Sequence, residues 1–267
     1  PVVGGLRLPT SPKDIVVRGN LVYVAEEFEG LQIVDVSDPA NPSRIGHLKT
    51  PGFARALDVW GNLAAIADYA FDGGFHIVDV SDPTSPTTVG VFHSTGTYFE
   101  DLCIQGSAIL AAGKDGLSVF DISNPTTPIL HTVYPLDDPA ARVLVSGNIA
   151  YARTWDLYLF DVADPLSPVL LAQYIPHSFP RDLAVQGDTL FIAASGDLRT
   201  LDVSDPTSPV EQGVIYDVYE DFLYGPIAVR GPLAFVAGGY PRSSNLNAFD
   251  VTDPSHPARH SLWDTLA

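Results

Sequence analysis

Three aspartates occupy one repeated position in this chain. Asp14, Asp101 and Asp182 each open a strand-like run that reaches a glycine turn: DIVVRGN, DLCIQGS and DLAVQGD. The matching runs at 56–62, 142–148 and 226–232 begin with Ala56, Arg142 and Pro226 instead. Carboxylates in alternate copies of a sixfold array would stand at roughly threefold positions. Oxygen donors so arranged could hold Ca2+ or another hard cation, with waters completing the shell. The competing use is plainer: each carboxylate accepts backbone amides, or pairs with Lys13, Arg142 or Arg181. Asp14, Asp101 and Asp182 are therefore the candidate metal ligands. No catalytic residue and no cofactor other than that Ca2+ is assigned.

Other chemistry is thinner. The sequence has no GxSxG elbow, no HExxH helix and no phosphate-binding loop. Its seven histidines scatter, and only His177 falls in a segment that varies between copies. The single cysteine, Cys103, sits in an apolar strand, as a buried inert thiol does.

The elements that must position these residues repeat six times. IVDVSDP (33–39), IVDVSDP (77–83), VFDISNP (119–125), LFDVADP (159–165), TLDVSDP (200–206) and AFDVTDP (248–254) recur at a period near forty. Around each signature lie four short apolar runs bounded by Gly, Asn, Asp and Pro, which read as buried strands. No helical spacing persists. A period of this length with four strands per copy predicts an all-β, six-bladed β-propeller with four antiparallel strands per blade. The blades fall at about 11–52, 53–94, 95–136, 137–177, 178–220 and 221–267 of a single domain, 1–267. VVGGLRLP (2–9) resembles the fourth-strand run RIGHLKTP (44–51), so residues 2–8 are expected to join the last blade and close the ring. Within the signature, Asp38, Asp82, Asp164, Asp205 and Asp253 suit Asx turns, and the paired prolines stop one strand and start the next. That reading assigns the repeated acid to turn chemistry rather than to calcium.

Gly30-Leu31 through Pro42 and Gly116-Leu117 through Pro128 resemble the pattern of the LVIVD-repeat β-propellers. The resemblance spans nearly the whole chain and implies the fold. It also implies a secreted or surface-attached bacterial or archaeal protein, extracellular or at the cell surface, and no single activity.

Formal charge is −18, from 32 acidic and 14 basic residues. This excludes nucleic acid and anionic membranes as partners, because both need a basic footprint. No apolar run reaches the length of a membrane span, so no direct membrane insertion is expected. Function is then sought on the loops that differ between blades, those joining strands two and three and those leading into the next blade. They are acidic and aromatic: Phe28, Phe53, Tyr69, Phe71, Tyr98, Phe99, Trp155, Phe179, Tyr219, Phe222, Tyr224 and Tyr240 all fall there. Such a face suits a protein partner. The expectation is a non-catalytic recognition or assembly module. The alternative is a metal-dependent hydrolase or lyase at the acidic channel mouth. A glycan-binding propeller would require equivalent aromatic pockets in several blades, and Trp60, Trp155 and Trp263 stand at non-equivalent positions.

Overall fold

The computed structural model describes residues 3–69, 73–94, 96–216, 225–238 and 245–264. It is all-β, a six-bladed β-propeller of six four-stranded antiparallel sheets, each running in chain order with the first and fourth strands at its edges. The chain divides into two compact units.

The first unit holds three complete sheets. These are β1 (Pro12–Arg18), β2 (Leu21–Glu26), β3 (Gly30–Asp35) and β4 (Ser43–Leu48); β5 (Ala54–Trp60), β6 (Leu63–Asp68), β7 (Gly74–Asp79) and β8 (Thr87–His93); and β9 (Phe99–Gln105), β10 (Ala108–Gly113), β11 (Gly116–Asp121) and β12 (Ile129–Tyr134). Nearly all of β13 (Arg142–Ser146) belongs to it as well. The second unit holds β14 (Ile149–Arg153), β15 (Leu157–Asp161) and β16 (Val169–Tyr174). It continues with β17 (Pro180–Gln186), β18 (Thr189–Ala194), β19 (Asp197–Asp202) and β20 (Val210–Tyr216), and ends with β21 (Ile227–Arg230), β22 (Leu233–Gly238), β23 (Asn245–Asp250) and β24 (Ala258–Asp264).

Second and third strands are buried on both faces, as their unbroken apolar runs require. Between the second and third sheets the core is aromatic. Phe75 and Phe120 meet edge to face with centroids 4.8 Å apart, and Phe99 joins them at 5.5 Å from Phe120. Phe99 is only 3% exposed. It is a core residue and leaves the set of candidate surface aromatics. Its strand alternation accounts for this: Phe99 begins β9 on the face that packs inward.

The signature turns take the expected form and add to it. Asp38, Asp82, Asp164, Asp205 and Asp253 each accept the amide two residues on through a side-chain oxygen, at 2.9–3.2 Å. The aspartate that ends the third strand does the same, with Asp35 accepting from Ser37 at 2.7 Å and Asp79 from Ser81 at 2.8 Å. Two successive Asx turns therefore carry the chain from third to fourth strand. At the neighbouring hairpin between first and second strands, Gly19, Gly61, Gly106, Gly147, Gly187 and Gly231 all have φ between 57° and 60°, the left-handed region that favours glycine.

Each fourth strand carries a bulge where it leaves the third, between Ile33 and Val34 in the first sheet and at the equivalent place in the other five. In the first, second and fifth sheets the residue beside the bulge is a glycine that lies against the proline turn of the following sheet. A Cβ on Gly46 would strike the Pro83 carbonyl, and one on Gly90 the Pro125 carbonyl.

The expected closing strand is not formed. Residues 3–8 belong to no sheet, and the last sheet completes its own four strands with β24. Instead Gly4 lies against the Pro39–Ala40 turn, the same relation that Gly46 has to Pro83. The likeness of 2–9 to a fourth strand is thus a likeness of packing against a turn, not of sheet pairing.

Phe99→Ala is expected to cost about 3–5 kcal/mol, the usual range for a buried Phe. Phe28→Ala, at an exposed site, is expected to stay within about 0.5 kcal/mol. Urea midpoints of the two variants check the assignment of Phe99 to the core.

Candidate recognition site

First strands of consecutive sheets pack side by side, β1 on β5, β5 on β9 and β17 on β21. Each is an edge strand, so its outward amides need acceptors that no fifth strand supplies. The repeated aspartates supply them. Asp14 Oδ2 accepts from the Leu57 amide at 2.9 Å, Asp101 Oδ2 from Val143 at 2.9 Å, and Asp182 Oδ2 from Ile227 at 2.9 Å. In the second sheet, where Ala56 stands in this column, Asp58 lies two residues along on the same face. Its Oδ2 takes the Ile104 amide at 2.9 Å. The column is a latch between successive sheets. Sequence comparison missed Asp58 because it lies out of column; the period-two geometry of a strand was the available signal.

This gives Asp14, Asp101 and Asp182 a structural role apart from the metal reading. Among the described residues no three acidic, histidine or cysteine side chains gather into a group that could hold a metal ion. The three carboxylates each spend an oxygen on a neighbouring backbone, and Asp101 also pairs with Arg142 at 3.5 Å. Cys103 is buried and its thiol is pushed well above the ordinary range by desolvation, so it is no nucleophile.

A second repeated device lies one residue earlier. β1, β5, β9 and β17 each bulge just before the latch position, between Pro12 and Asp14, Ala54 and Ala56, Phe99 and Asp101, and Pro180 and Asp182. The extra residue in each case is charged: Lys13, Arg55, Glu100 and Arg181. A bulge re-aims its side chain away from the ladder. In the first unit Lys13, Arg55 and Glu100 line a cleft of about 480 Å³, with Asp14, Asp101 and Arg142 also in its wall. Its charges are arranged in pairs, Lys13 with Glu27 at 3.1 Å and Arg55 with Glu100 at 2.6 Å.

The cleft shares Phe53 and Tyr69 with an apolar bowl of about 530 Å³, whose other walls are Phe28, Lys49 and the Thr50–Gly52 loop. Phe28 meets Phe53 edge to face at 5.1 Å, and the Arg55 guanidinium sits 5.4 Å from the Tyr69 ring centre. Phe28, Phe53 and Tyr69 are 51%, 43% and 37% exposed. Asp68 holds the bowl's loop in place by accepting the Gly52 amide at 3.0 Å, with His76 3.2 Å behind it.

Aromatic pairs recur at equivalent junctions between sheets. Tyr69 lies 5.2 Å from Tyr98, and in the second unit Trp155 lies 4.5 Å from Phe179, under Arg181. The sequence reading found no such equivalence because it compared tryptophans alone. Phe71, Tyr219, Phe222, Tyr224 and Tyr240 lie outside the described residues.

The sequence profile of the LVIVD repeat matches residues 11–50, 51–94, 101–135, 139–175 and 180–218, and the chain belongs to that family. No curated protein matches it significantly in sequence. Solved structures share the fold at low identity. A periplasmic gluconolactonase from Pseudomonas aeruginosa aligns with TM-score 0.77 and 13% identity over 95% of this chain and 88% of its own. A functionally unknown protein from Desulfotomaculum acetoxidans gives 0.76 and 10% over 96% and 86%. A Lactobacillus plantarum protein gives 0.77 and 16% over 89% and 79%.

The latch sets a signed dependence on pH. Burial pushes the Asp101 carboxyl up to about 6, against the pull of Arg142 and the Val143 amide, and burial also raises Asp58. A raised carboxyl contributes stability that is full below the ordinary 3.8 and lost as pH climbs through the folded value. The turn aspartates Asp35, Asp79, Asp82 and Asp205 are lowered by hydrogen bonds within their turns, so their contribution is lost as pH falls below 3.8. Stability is therefore expected to peak near about pH 4 and to fall between there and about pH 6. The gain from pH 8 down to that peak should be on the order of 1–3 kcal/mol from Asp101. Melting temperatures across this range check it, with Asp101→Asn expected to flatten the alkaline side.

Proposed function

We propose that this protein is a non-catalytic recognition module, extracellular or at the cell surface, that binds a protein partner through the bowl and cleft of its first unit. The observation that carries the proposal is the group Phe28, Phe53 and Tyr69: three exposed aromatic side chains on one rigid frame, bordered by paired charges. A desolvatable aromatic centre within a polar rim is the usual anatomy of a protein-binding surface. The frame is rigid because the loop between β4 and β5 is tied to Asp68, and β5 is tied to Asp14. The cleft's cations and carboxylates are matched to one another, and no nucleophile with an adjacent base lies among them. Family membership supports the extracellular placement. No described helix is long and apolar enough to cross a membrane.

The test compares capture of proteins from the secreted and surface fraction of the source cells by the wild type and by Phe28→Ala/Phe53→Ala. The double variant is expected to melt within about 2 °C of the wild type, since both positions are exposed. It should lose a specific partner that the wild type retains. Turnover of a lactone or ester panel by the wild type, abolished by Arg142→Ala, would establish the hydrolase alternative and defeat the proposal.

A further inference from the structure

One column of the third strands is filled in five sheets and left open in the remaining one. Its residues are Gln32, His76, Ser118, Tyr158, Arg199 and Asn247, each standing just before a copy of the signature. The five long side chains are all hydrogen-bonded: Gln32 with Arg44, His76 with Asp68, Tyr158 with Gln173, Arg199 with Glu211 and Asn247 with Arg259. Ser118 is the shortest of the six. In its sheet Leu130 takes the fourth-strand place that Arg44, Glu211 and Arg259 hold in theirs. The space so left is a cavity of about 170 Å³ in the first unit, between the second and third sheets.

Its inner wall is made of rings. Phe92 and Phe120 meet edge to face at 4.6 Å, and Phe99 meets Phe120 in the same way at 5.5 Å. Leu130 and Val133 form the more exposed outer wall. Two polar side chains also line it, and neither is spent on the fold. Ser118 is 6% exposed, and its hydroxyl makes no hydrogen bond among the described residues. A buried hydroxyl left without a partner is costly, so a polar ligand atom beside it restores a missing bond. Asp115, at the tip of the two-residue hairpin between β10 and β11, is exposed at the mouth. It has no ion pair or hydrogen bond among the described residues, and its neighbour Lys114 is committed to the Gly96 carbonyl at 2.9 Å.

These features select a ligand by size, shape and charge. The cavity has room for one ring and a short tail, well below the space a drug-sized ligand needs. Rings set edge to face accept a further ring in the same manner. A carboxylate without a partner, on a chain of net charge −18, draws a cation and repels an anion. A sugar would set its hydroxyls against walls that are apolar except at Ser118. Ser118 and Asp115 are three residues apart, so their Cα atoms lie within about 10 Å of each other. A para-substituted ring with a two-carbon tail has the length to bridge them. We propose that this cavity binds a small aromatic amine as its ammonium ion, with the ring inside the phenylalanine wall and the charge at Asp115. A para hydroxyl on that ring reaches Ser118. The site is separate from the bowl and does not rest on the recognition reading above.

The probe is 2-(4-hydroxyphenyl)ethylamine, titrated into the full chain by calorimetry at about pH 7, where its amine is charged. Saturable binding at one site is expected. The analogue without the hydroxyl should bind a few-fold more weakly, and Ser118→Ala should erase that difference. The analogue with a carboxylate in place of the amine should bind at least about tenfold more weakly. Asp115→Asn should weaken the amine about tenfold, with melting within about 2 °C of the wild type because the position is exposed. Ser118→His restores the side chain of the second sheet and should abolish binding by filling the cavity; Ser118→Ala and Asp115→Asn decide the matter if that variant does not fold. Absence of saturable binding overturns the inference. So does equal affinity for the carboxylate analogue, or an affinity unchanged by Asp115→Asn. Loss of amine binding in Phe28→Ala/Phe53→Ala also overturns it, by placing the amine in the bowl. If the amine fails while that double variant still loses a captured protein partner, the cavity inference falls and the recognition reading stands.

Discussion

A four-stranded sheet leaves its first strand as an open edge, and the arrangement of successive sheets depends on how that edge is satisfied. Here the answer is a carboxylate from the preceding sheet: Asp14 for Leu57, Asp58 for Ile104, Asp101 for Val143 and Asp182 for Ile227. Hydrogen bonds to charged acceptors are stronger than neutral ones, and each of these also fixes the register of one sheet against the next. The cost is desolvation, visible in the upward displacement of Asp58 and Asp101. Each bond commits one oxygen of its carboxylate to the neighbouring sheet.

The latch also shapes the surface above it. Just before the latch column each of these strands shifts register, and the bulge turns Lys13, Arg55, Glu100 or Arg181 outward. Structural and recognition residues are therefore adjacent in sequence yet separate in role. The loops preceding the bulges at Arg55, Glu100 and Arg181 bring an aromatic ring beside the one from the previous sheet, as in Phe28–Phe53 and Trp155–Phe179. On the turn side the chain is nearly uniform, with paired Asx turns and glycines pressed against proline carbonyls. Variation is confined to the side where the frame tolerates it.

The polar interior shows a further economy. The third strand carries a non-aliphatic residue at its middle in every sheet, and in the first, fourth, fifth and sixth the fourth strand answers it. Gln32 accepts from Arg44 at 3.2 Å, Asn247 from Arg259 at 2.6 Å, and buried Arg199 reverses the polarity with Glu211 at 2.6 Å and Asp197 at 2.8 Å. Breaking one partner of such a buried pair is costly, because the other is left desolvated.

Much was legible from residue order alone. The repeated signature determined the strand count, the blade number, the glycine hairpins and the Asx turns at Asp38, Asp82, Asp164, Asp205 and Asp253, because all of these are local and depend on neighbours a few residues away. What only tertiary structure decided depends on which sheet lies beside which. It showed the Asp14, Asp101 and Asp182 column latching one sheet to the next and recruited Asp58 from another column. It moved Phe99 into the core while leaving Phe28, Phe53 and Tyr69 outside. It also showed that residues 3–8 pack on a turn without pairing. A carboxylate's role is set by the donor opposite it, and that donor lies some forty residues away in the chain.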